Sequence, residues 1–156
     1  MIAIDPGENT GGAFFVNGAL VWAGLLSLLD GTHSNTTADK LIIEIPFIRP
    51  DDITGGRGAR ANNPAAVAAK RINDLLSVCV CAGQWIRSIN APHTRRVRPH
   101  EWKGGVPKEI HNARVLEKLS SAESLLLPKL PASKLHNVVD AVGLGLFELG
   151  RMGRGA

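Results

Sequence analysis

Three acidic residues lie in stretches whose neighbours are apolar, where an isolated carboxylate is costly unless it is paired or coordinates a metal. Asp5 closes the first apolar run of the chain, Glu44 interrupts Leu-Ile-Ile-Glu-Ile, and Asp140 lies inside a long apolar helix pattern. Magnesium and manganese are hard cations that prefer oxygen ligands. Two such ions about 4 Å apart can activate a water and stabilise a leaving oxygen. The three acids therefore predict a divalent-cation site for phosphodiester chemistry.

A fourth ligand is expected close to Asp140 on the same helix. His136 precedes Asp140 by four residues and Asn137 precedes it by three, and both spacings place a side chain on the Asp140 face of a helix. An imidazole can bind a metal or accept a proton from the attacking water, whereas an amide would coordinate only weakly through its oxygen. We predict His136 as the fourth ligand and keep Asn137 as the alternative.

Each acid also has an ordinary structural explanation. Asp5 precedes Pro-Gly and could cap a turn, Glu44 could lie on the edge of a sheet, and Asp140 could belong to the polar side of an amphipathic helix. Taken singly, these explanations are favoured. Their joint occurrence in runs that otherwise read as buried favours a shared site.

The length and composition bound the class of protein. A chain of 156 residues suits one domain over 1–156. Its 44% apolar residues are typical of a globular protein, and no apolar stretch approaches the length of a membrane span. Cys79 and Cys81 form neither a disulfide framework nor a zinc ribbon, so we expect a reducing cytoplasm. The net charge of +4 permits a polyanionic partner.

The strand pattern predicts how the acids are brought together. Predicted strands cover 2–4, 11–16, 19–24, 41–48 and about 95–98. Asn17-Gly18 is a hairpin signal, because both residues tolerate positive φ. Strands that come first and then alternate with helices indicate an α/β domain with a mixed sheet. If the strands of Asp5 and Glu44 are adjacent and parallel, both carboxylates emerge at one sheet edge, where ligand sites gather.

Three helices are predicted from capping signals and helical spacing. They run from Asn63-Pro64 to before Gly83, from near Pro107 to about Ser120, and from after Ser133 to before Gly150. The predicted inward residues are Ala68, Ile72, Leu75, Leu76 and Cys79 in the first helix, and Ile110, Ala113, Leu116 and Leu119 in the second. The histidines at 33, 93, 100 and 111 are expected at the surface.

The ordered motifs carry a family resemblance. Ile-Ala-Ile-Asp5-Pro-Gly with a Gly-rich second strand, Ile-Ile-Glu44-Ile-Pro-Phe, and Asn-Val-Val-Asp140-Ala-Val-Gly-Leu-Gly resemble the RuvC family of Holliday junction resolvases, especially short phage-type members. The resemblance implies an RNase H-like α/β fold: a mixed five-stranded sheet with helices on both faces. It implies two Mg²⁺ ions per active site, for which Mn²⁺ can substitute, held by the three acids. It further implies a homodimer that makes paired symmetric nicks in four-way DNA junctions, in a bacterial host cell.

Five residues are predicted to contact DNA. Phe47 matches a family aromatic that stacks on a base, although a core position would explain it equally well. Arg57 and Arg60 lie in a loop rich in glycine and proline, and Lys103 and Lys108 flank a helix start, where free backbone amides also favour phosphate. Phosphate contacts of this kind supply most of the salt-sensitive affinity for DNA.

Two other functions fit parts of the pattern. An RNase H-like nuclease could act on other branched DNA or on structured RNA, and comparing junction, flap, duplex and hybrid substrates would discriminate these. A nucleotide-binding module of the actin-like ATPase type also has phosphate loops that start with an acid and glycines. Its second phosphate loop is not evident here, and 156 residues are too few for its two lobes.

Overall fold

Five strands form one mixed sheet in the computed structural model, which describes residues 1–27, 36–46 and 64–152. The strands are β1 (Ile2–Asp5), β2 (Gly11–Val16), β3 (Ala19–Leu25), β4 (Lys40–Glu44) and β5 (His93–Val97). Their order is β3-β2-β1-β4-β5. β2 is antiparallel to both of its neighbours, while β1, β4 and β5 run parallel. The predicted mixed α/β sheet is confirmed.

β4 is shorter than predicted. The sequence pattern extended this strand to residue 48, but it ends at Glu44, and residues 47 and 48 lie outside the described part of the chain. The amide of Ile45 still donates to the carbonyl of Val97 at 2.9 Å. Pro46 follows and has no N–H with which to continue the ladder. β4 therefore ends at Glu44, because the ladder of hydrogen bonds cannot continue through Pro46.

The predicted hairpin between β2 and β3 is confirmed, and it is held by a buried acid that sequence reasoning missed. Asn17 and Gly18 take φ values of 50° and 81°, the positive values that a tight hairpin turn requires. Glu123 accepts the amide of Leu20 at 2.8 Å and pairs with Arg151 at 2.7 Å. The hydrogen bond from Arg151 holds the pKa of Glu123 well below its ordinary value. The hairpin is thus tied to the segment that follows the last helix.

The described residues form five helices, which pack around the sheet. They are α1 (Pro64–Ser88), α2 (Pro99–Trp102), α3 (Lys108–Glu117), α4 (Ser121–Ser124) and α5 (Ala132–Glu148). None of these described helices combines the length and apolar character that a membrane span requires. α2 and α4 are single turns, too short for a periodic pattern to predict.

The predicted end and part of the predicted inward face of α1 are wrong. The helix passes through Gly83, because a helical glycine costs only about 1 kcal/mol and Trp85, two residues later, is fully buried. Ala68 is buried as predicted, whereas Leu76 is 50% exposed and Cys79 is exposed. The residues at this end of α1 that pack against the sheet include Ala82 and Trp85, which continue the stripe of Ala68 and not that of Leu76 and Cys79.

Two apolar clusters lie on opposite faces of the sheet. Ala3 and Ile42 pack in one cluster with the buried residues of α5, and Ile4 and Ile43 pack in the other with Trp85 of α1. The alternation follows from the period of two along a strand. The positions two residues beyond Ala3 and Ile42 therefore point to the α5 side.

The two ends of α5 are fixed in different ways. Near its start, a Cβ placed on Gly11 would lie 1.9 Å from the backbone oxygen of Asn137, so β2 and the helix backbone are in direct contact. At its other end, the nearly buried carboxylate of Glu148 pairs with Lys40 of β4 and, at 2.6 Å, with Arg95 of β5. α5 thus crosses the sheet from the carboxyl edge of β4 towards its start.

Candidate active site

Two of the predicted carboxylates emerge at the same edge of the sheet. β1 and β4 are adjacent and parallel, and Ile4 pairs with Ile43, so Asp5 and Glu44 occupy the next position of each strand. Both project to the α5 face of the sheet by strand alternation. The adjacent, parallel strands that a shared site requires are therefore present.

Asp140 reaches the same place from α5. Its side chain is only 8% exposed, and it lines a cavity of about 350 Å³ together with Asp5 and Glu44. The remaining polar lining consists of Lys103, Lys108, His136 and Asn137. The fold therefore brings the three acids, both candidate fourth ligands and two predicted DNA contacts to one cavity.

Lys103 lies among the acids. Its Nζ is 3.0 Å from an oxygen of Glu44 and 3.0 Å from an oxygen of Asp140, and it lies 4.8 Å from the ring centre of Trp102. Burial alone would lower the pKa of Lys103, but Glu44, Asp5 and Asp140 outweigh it and hold the pKa above its ordinary value. Lys103 as a contact to a DNA phosphate stays a prediction. In the structure its positive charge lies between two carboxylates.

The pKa of Asp5 is strongly raised by its surroundings. Burial, reinforced by Glu44 and Asp140, raises the pKa of Asp5 from 3.8 to about 8, although Lys103 and Lys108 oppose the rise. A carboxyl group in this position keeps its proton at neutral pH unless more positive charge is supplied.

The donor set fits a divalent cation. Three carboxylates supply oxygen atoms, the ligand type that Mg²⁺ and Mn²⁺ prefer. Within the described part of the chain, the buried Oδ1 of Asp140 has no hydrogen-bond partner. An added cation would satisfy this oxygen and would favour the ionised form of Asp5. In the same described residues, however, no three His, Cys, Asp or Glu side chains are arranged as preformed metal ligands.

The buried rings of Trp102 and His111 lie next to Glu44 and Asp140, respectively. The indole Nε1–H of Trp102 donates to Glu44 at 2.8 Å. The ring of His111 lies edge-on to that indole with 4.8 Å between ring centres, and its Nε2 is 3.8 Å from Oδ1 of Asp140. Burial lowers the pKa of His111, Asp140 opposing, which favours the neutral ring. Each residue thus contacts one of the acids that define the site.

The expectation that His111 lies at the surface is wrong. The inward face predicted for α3, which comprised Ile110, Ala113, Leu116 and Leu119, is also largely wrong. In the structure His111 and Val115 are buried, while Ile110 and Leu116 are 47% and 41% exposed. Polar His111 lowered the apparent hydrophobicity of the correct stripe. The spacing of four between His111 and Val115, continued by the partly buried Leu119, was the signal that could have identified it.

The remaining predicted site residues fall into two groups. His136 and Asn137 both line the cavity, and the Nδ1 of His136 lies 3.3 Å from the carbonyl of Ala132 in its own helix. His136 as the fourth ligand stays a prediction. Lys108 lines the cavity from the first turn of α3. The predicted DNA contacts Phe47, Arg57 and Arg60 lie outside the described residues.

Comparison with known proteins adds no family assignment. No protein-family model matches this chain, and a search of curated proteins found no similar sequence. Any functional assignment therefore depends on the motifs and on the geometry of the acidic cavity.

Proposed function

We propose that the protein is a Mg²⁺-dependent, structure-selective DNA endonuclease that nicks four-way junctions as a homodimer. The observation that carries the proposal is the convergence of Asp5, Glu44 and Asp140, from two parallel strands and a helix, on one cavity. These residues are far apart in the sequence, and rigid elements hold each of them. The four-way junction and the homodimer come from the family resemblance of the sequence motifs.

An RNase H-like fold is part of the same proposal. The mixed five-stranded sheet, with α1 on one face and α5 on the other, supports it. So does the location of Asp5 and Glu44 at the carboxyl ends of neighbouring parallel strands, the edge where ligand sites collect in open α/β sheets.

The residues of the site have separable roles. Asp5, Glu44 and Asp140, with His136 as the predicted fourth, would hold the divalent ions. When bound, such ions supply a nucleophilic water at neutral pH and stabilise the leaving oxygen of an in-line displacement. The indole of Trp102 fixes the orientation of Glu44 through its 2.8 Å hydrogen bond, as outer partners of metal-binding carboxylates commonly do.

The experiment that tests the proposal is cleavage of a synthetic four-way junction in Mg²⁺ by wild type and Asp5→Asn. We expect the variant to lose about 100-fold or more, because changes to outer partners of metal ligands alone cost about 10–100-fold. Glu8→Gln is the matched control, since Glu8 is an exposed acid three residues away and does not line the cavity. Equal cleavage by wild type and Asp5→Asn, or no cleavage by wild type with any divalent metal, would refute the assignment.

The same assay can be extended to substrate choice. Flap, duplex and RNA–DNA hybrid substrates of the same flanking sequence would be compared with the junction at matched concentrations. Preference for the junction supports a resolvase. Equal cleavage of all branched substrates would instead favour the broader RNase H-like nuclease.

A further inference from the structure

The ammonium group of Lys103 occupies a position that a metal ion would be expected to take. It lies 3.0 Å from Glu44 and 3.0 Å from Asp140, and thus bridges a strand carboxylate and a helix carboxylate. Its side chain is 21% exposed and is therefore in contact with solvent. A lysine held in this way neutralises part of the acidic charge without any metal.

The backbone at Lys103 is fixed, whereas its side chain is long and flexible. The residue caps the single turn α2, and its amide donates to the carbonyl of Pro99 at 2.9 Å. Four methylene groups separate the backbone from the ammonium group, and each is a rotatable position. The ammonium can therefore leave the two carboxylates by side-chain rotation alone, with α2 unchanged.

We propose that Lys103 is an internal counter-ion that competes with divalent metal for Glu44 and Asp140, and so sets the metal affinity of the site. The inference rests on the proposed function, since it takes these acids as metal ligands. The ammonium group lies 3.0 Å from an oxygen of each carboxylate, so a cation that bridges Glu44 and Asp140 would lie next to it. Lysine and metal also repel each other at this distance. Metal binding therefore includes the displacement of Lys103.

Lys108 provides an internal comparison. It carries the same charge and lines the same cavity, but it begins α3 and is exposed. Its charge acts on Asp5 from a distance, as its lowering effect on the pKa of Asp5 shows. Competition for the metal position therefore distinguishes Lys103 from a lysine that only adds positive potential.

The test is the affinity for Mn²⁺ without DNA, measured by calorimetry and by the electron paramagnetic resonance signal of free Mn²⁺. Wild type, Lys103→Met, Lys103→Gln and Lys108→Met would be compared after removal of metal with EDTA. Both Lys103 variants should bind Mn²⁺ at least about 10-fold more tightly, because the metal no longer has to displace an ammonium group held by charge-assisted hydrogen bonds, each of which contributes roughly a factor of 10 or more. Lys108→Met should change the dissociation constant less than about threefold, because its charge is screened by solvent.

Thermal stability gives a second measurement that does not depend on activity. Without metal, the Lys103 variants should melt below wild type, because their carboxylates lack the internal cation. Adding Mn²⁺ should raise their melting temperature more than that of wild type, since stabilisation grows with the ratio of ligand concentration to dissociation constant. If both variants unfold without metal, refolding by Mn²⁺ below the wild-type dissociation constant supports the inference, and failure to refold overturns it.

The remaining outcomes separate this inference from the proposed function. Equal Mn²⁺ affinity in all four proteins, or weaker binding by the Lys103 variants, would overturn the role of Lys103 and leave the metal site intact. No Mn²⁺ binding by any of the four would overturn the metal site itself and the proposed nuclease with it.

Discussion

Replacing Asp5 by asparagine should stabilise the metal-free protein while it abolishes cleavage. Burial and the neighbouring acids raise the pKa of Asp5 from 3.8 to about 8. The folded protein therefore keeps a proton that the unfolded chain releases, which costs folding free energy at neutral pH. Asparagine has nearly the shape of a protonated aspartate and never ionises in the unfolded chain, so the variant avoids this cost.

The size of the effect follows from the shift. One pH unit between the ordinary pKa and the working pH corresponds to about 1.4 kcal/mol. The roughly three units between the ordinary Asp5 value and pH 7 thus set an upper limit of about 4 kcal/mol. Water in the open cavity screens the acids, so we expect about half of this limit, roughly 2 kcal/mol.

The sign of the pH dependence is specific. Because the folded pKa of Asp5 lies above the unfolded one, its stabilising contribution is complete below pH 3.8 and is lost as the pH rises to about 8. Urea denaturation of wild type in EDTA should therefore show stability falling across this range, with a smaller fall in Asp5→Asn. The two proteins should be closest at the acidic end and should diverge as the pH rises.

The comparison has a matched control and a clear contrary result. Glu8→Gln changes an exposed acid three residues after Asp5 and should follow the wild-type curve. Adding Mg²⁺ should reduce the difference between wild type and Asp5→Asn, because the cation favours the ionised carboxylate. Parallel stability curves for wild type and Asp5→Asn from acidic to alkaline pH would show that the clustered acids do not perturb Asp5.

Three further changes address the support of the site and of the fold. Trp102→Phe removes the donor to Glu44, so Mn²⁺ affinity by calorimetry should fall about 10-fold; unchanged affinity would show that the indole does not orient the acid. Gly11→Ala forces a methyl group against the backbone of α5 and should cost about 2–3 kcal/mol in urea denaturation, whereas Gly7→Ala, with no atom within 4 Å of the added carbon, should not. Glu123→Gln loses a buried ion pair, so at pH 7 it should lose about 2–3 kcal/mol in the same assay. Because the folded pKa of Glu123 is depressed, this loss should shrink as the pH falls below about 4; a loss independent of pH would contradict the ion-pair explanation.

The acids of the site could be predicted because a carboxylate in an apolar run has few physical explanations. Asp5 and Glu44 follow short buried strands, and only adjacent parallel pairing brings both to one edge, so a single assumption about the sheet predicted their proximity. The hairpin at Asn17-Gly18 was equally accessible, because few other residue pairs take positive φ without strain.

The partners of the acids could not be predicted in the same way. Trp102 and Lys103 are consecutive, and both contact Glu44. They do so because of the position of the single turn α2, which has no periodic sequence pattern. His111 lies in a helix with two competing stripes, and the choice between them is made by packing against α5. Side-chain reach and tertiary packing, rather than local propensity, decide these contacts.

The carboxylate of Glu148 makes the position of Asp140, in the middle of α5, sensitive to changes at the opposite rim of the sheet. Glu148 forms ion pairs with Lys40 of β4 and Arg95 of β5. It lies about 12 Å along the helix axis from Asp140, at 1.5 Å per residue. Because an α-helix of this length moves nearly as a rigid rod, a tilt of α5 at Glu148 also displaces Asp140. Substitutions at Lys40 or Arg95 should therefore change the distances from Asp140 to Asp5 and Glu44, although neither substituted residue lines the cavity.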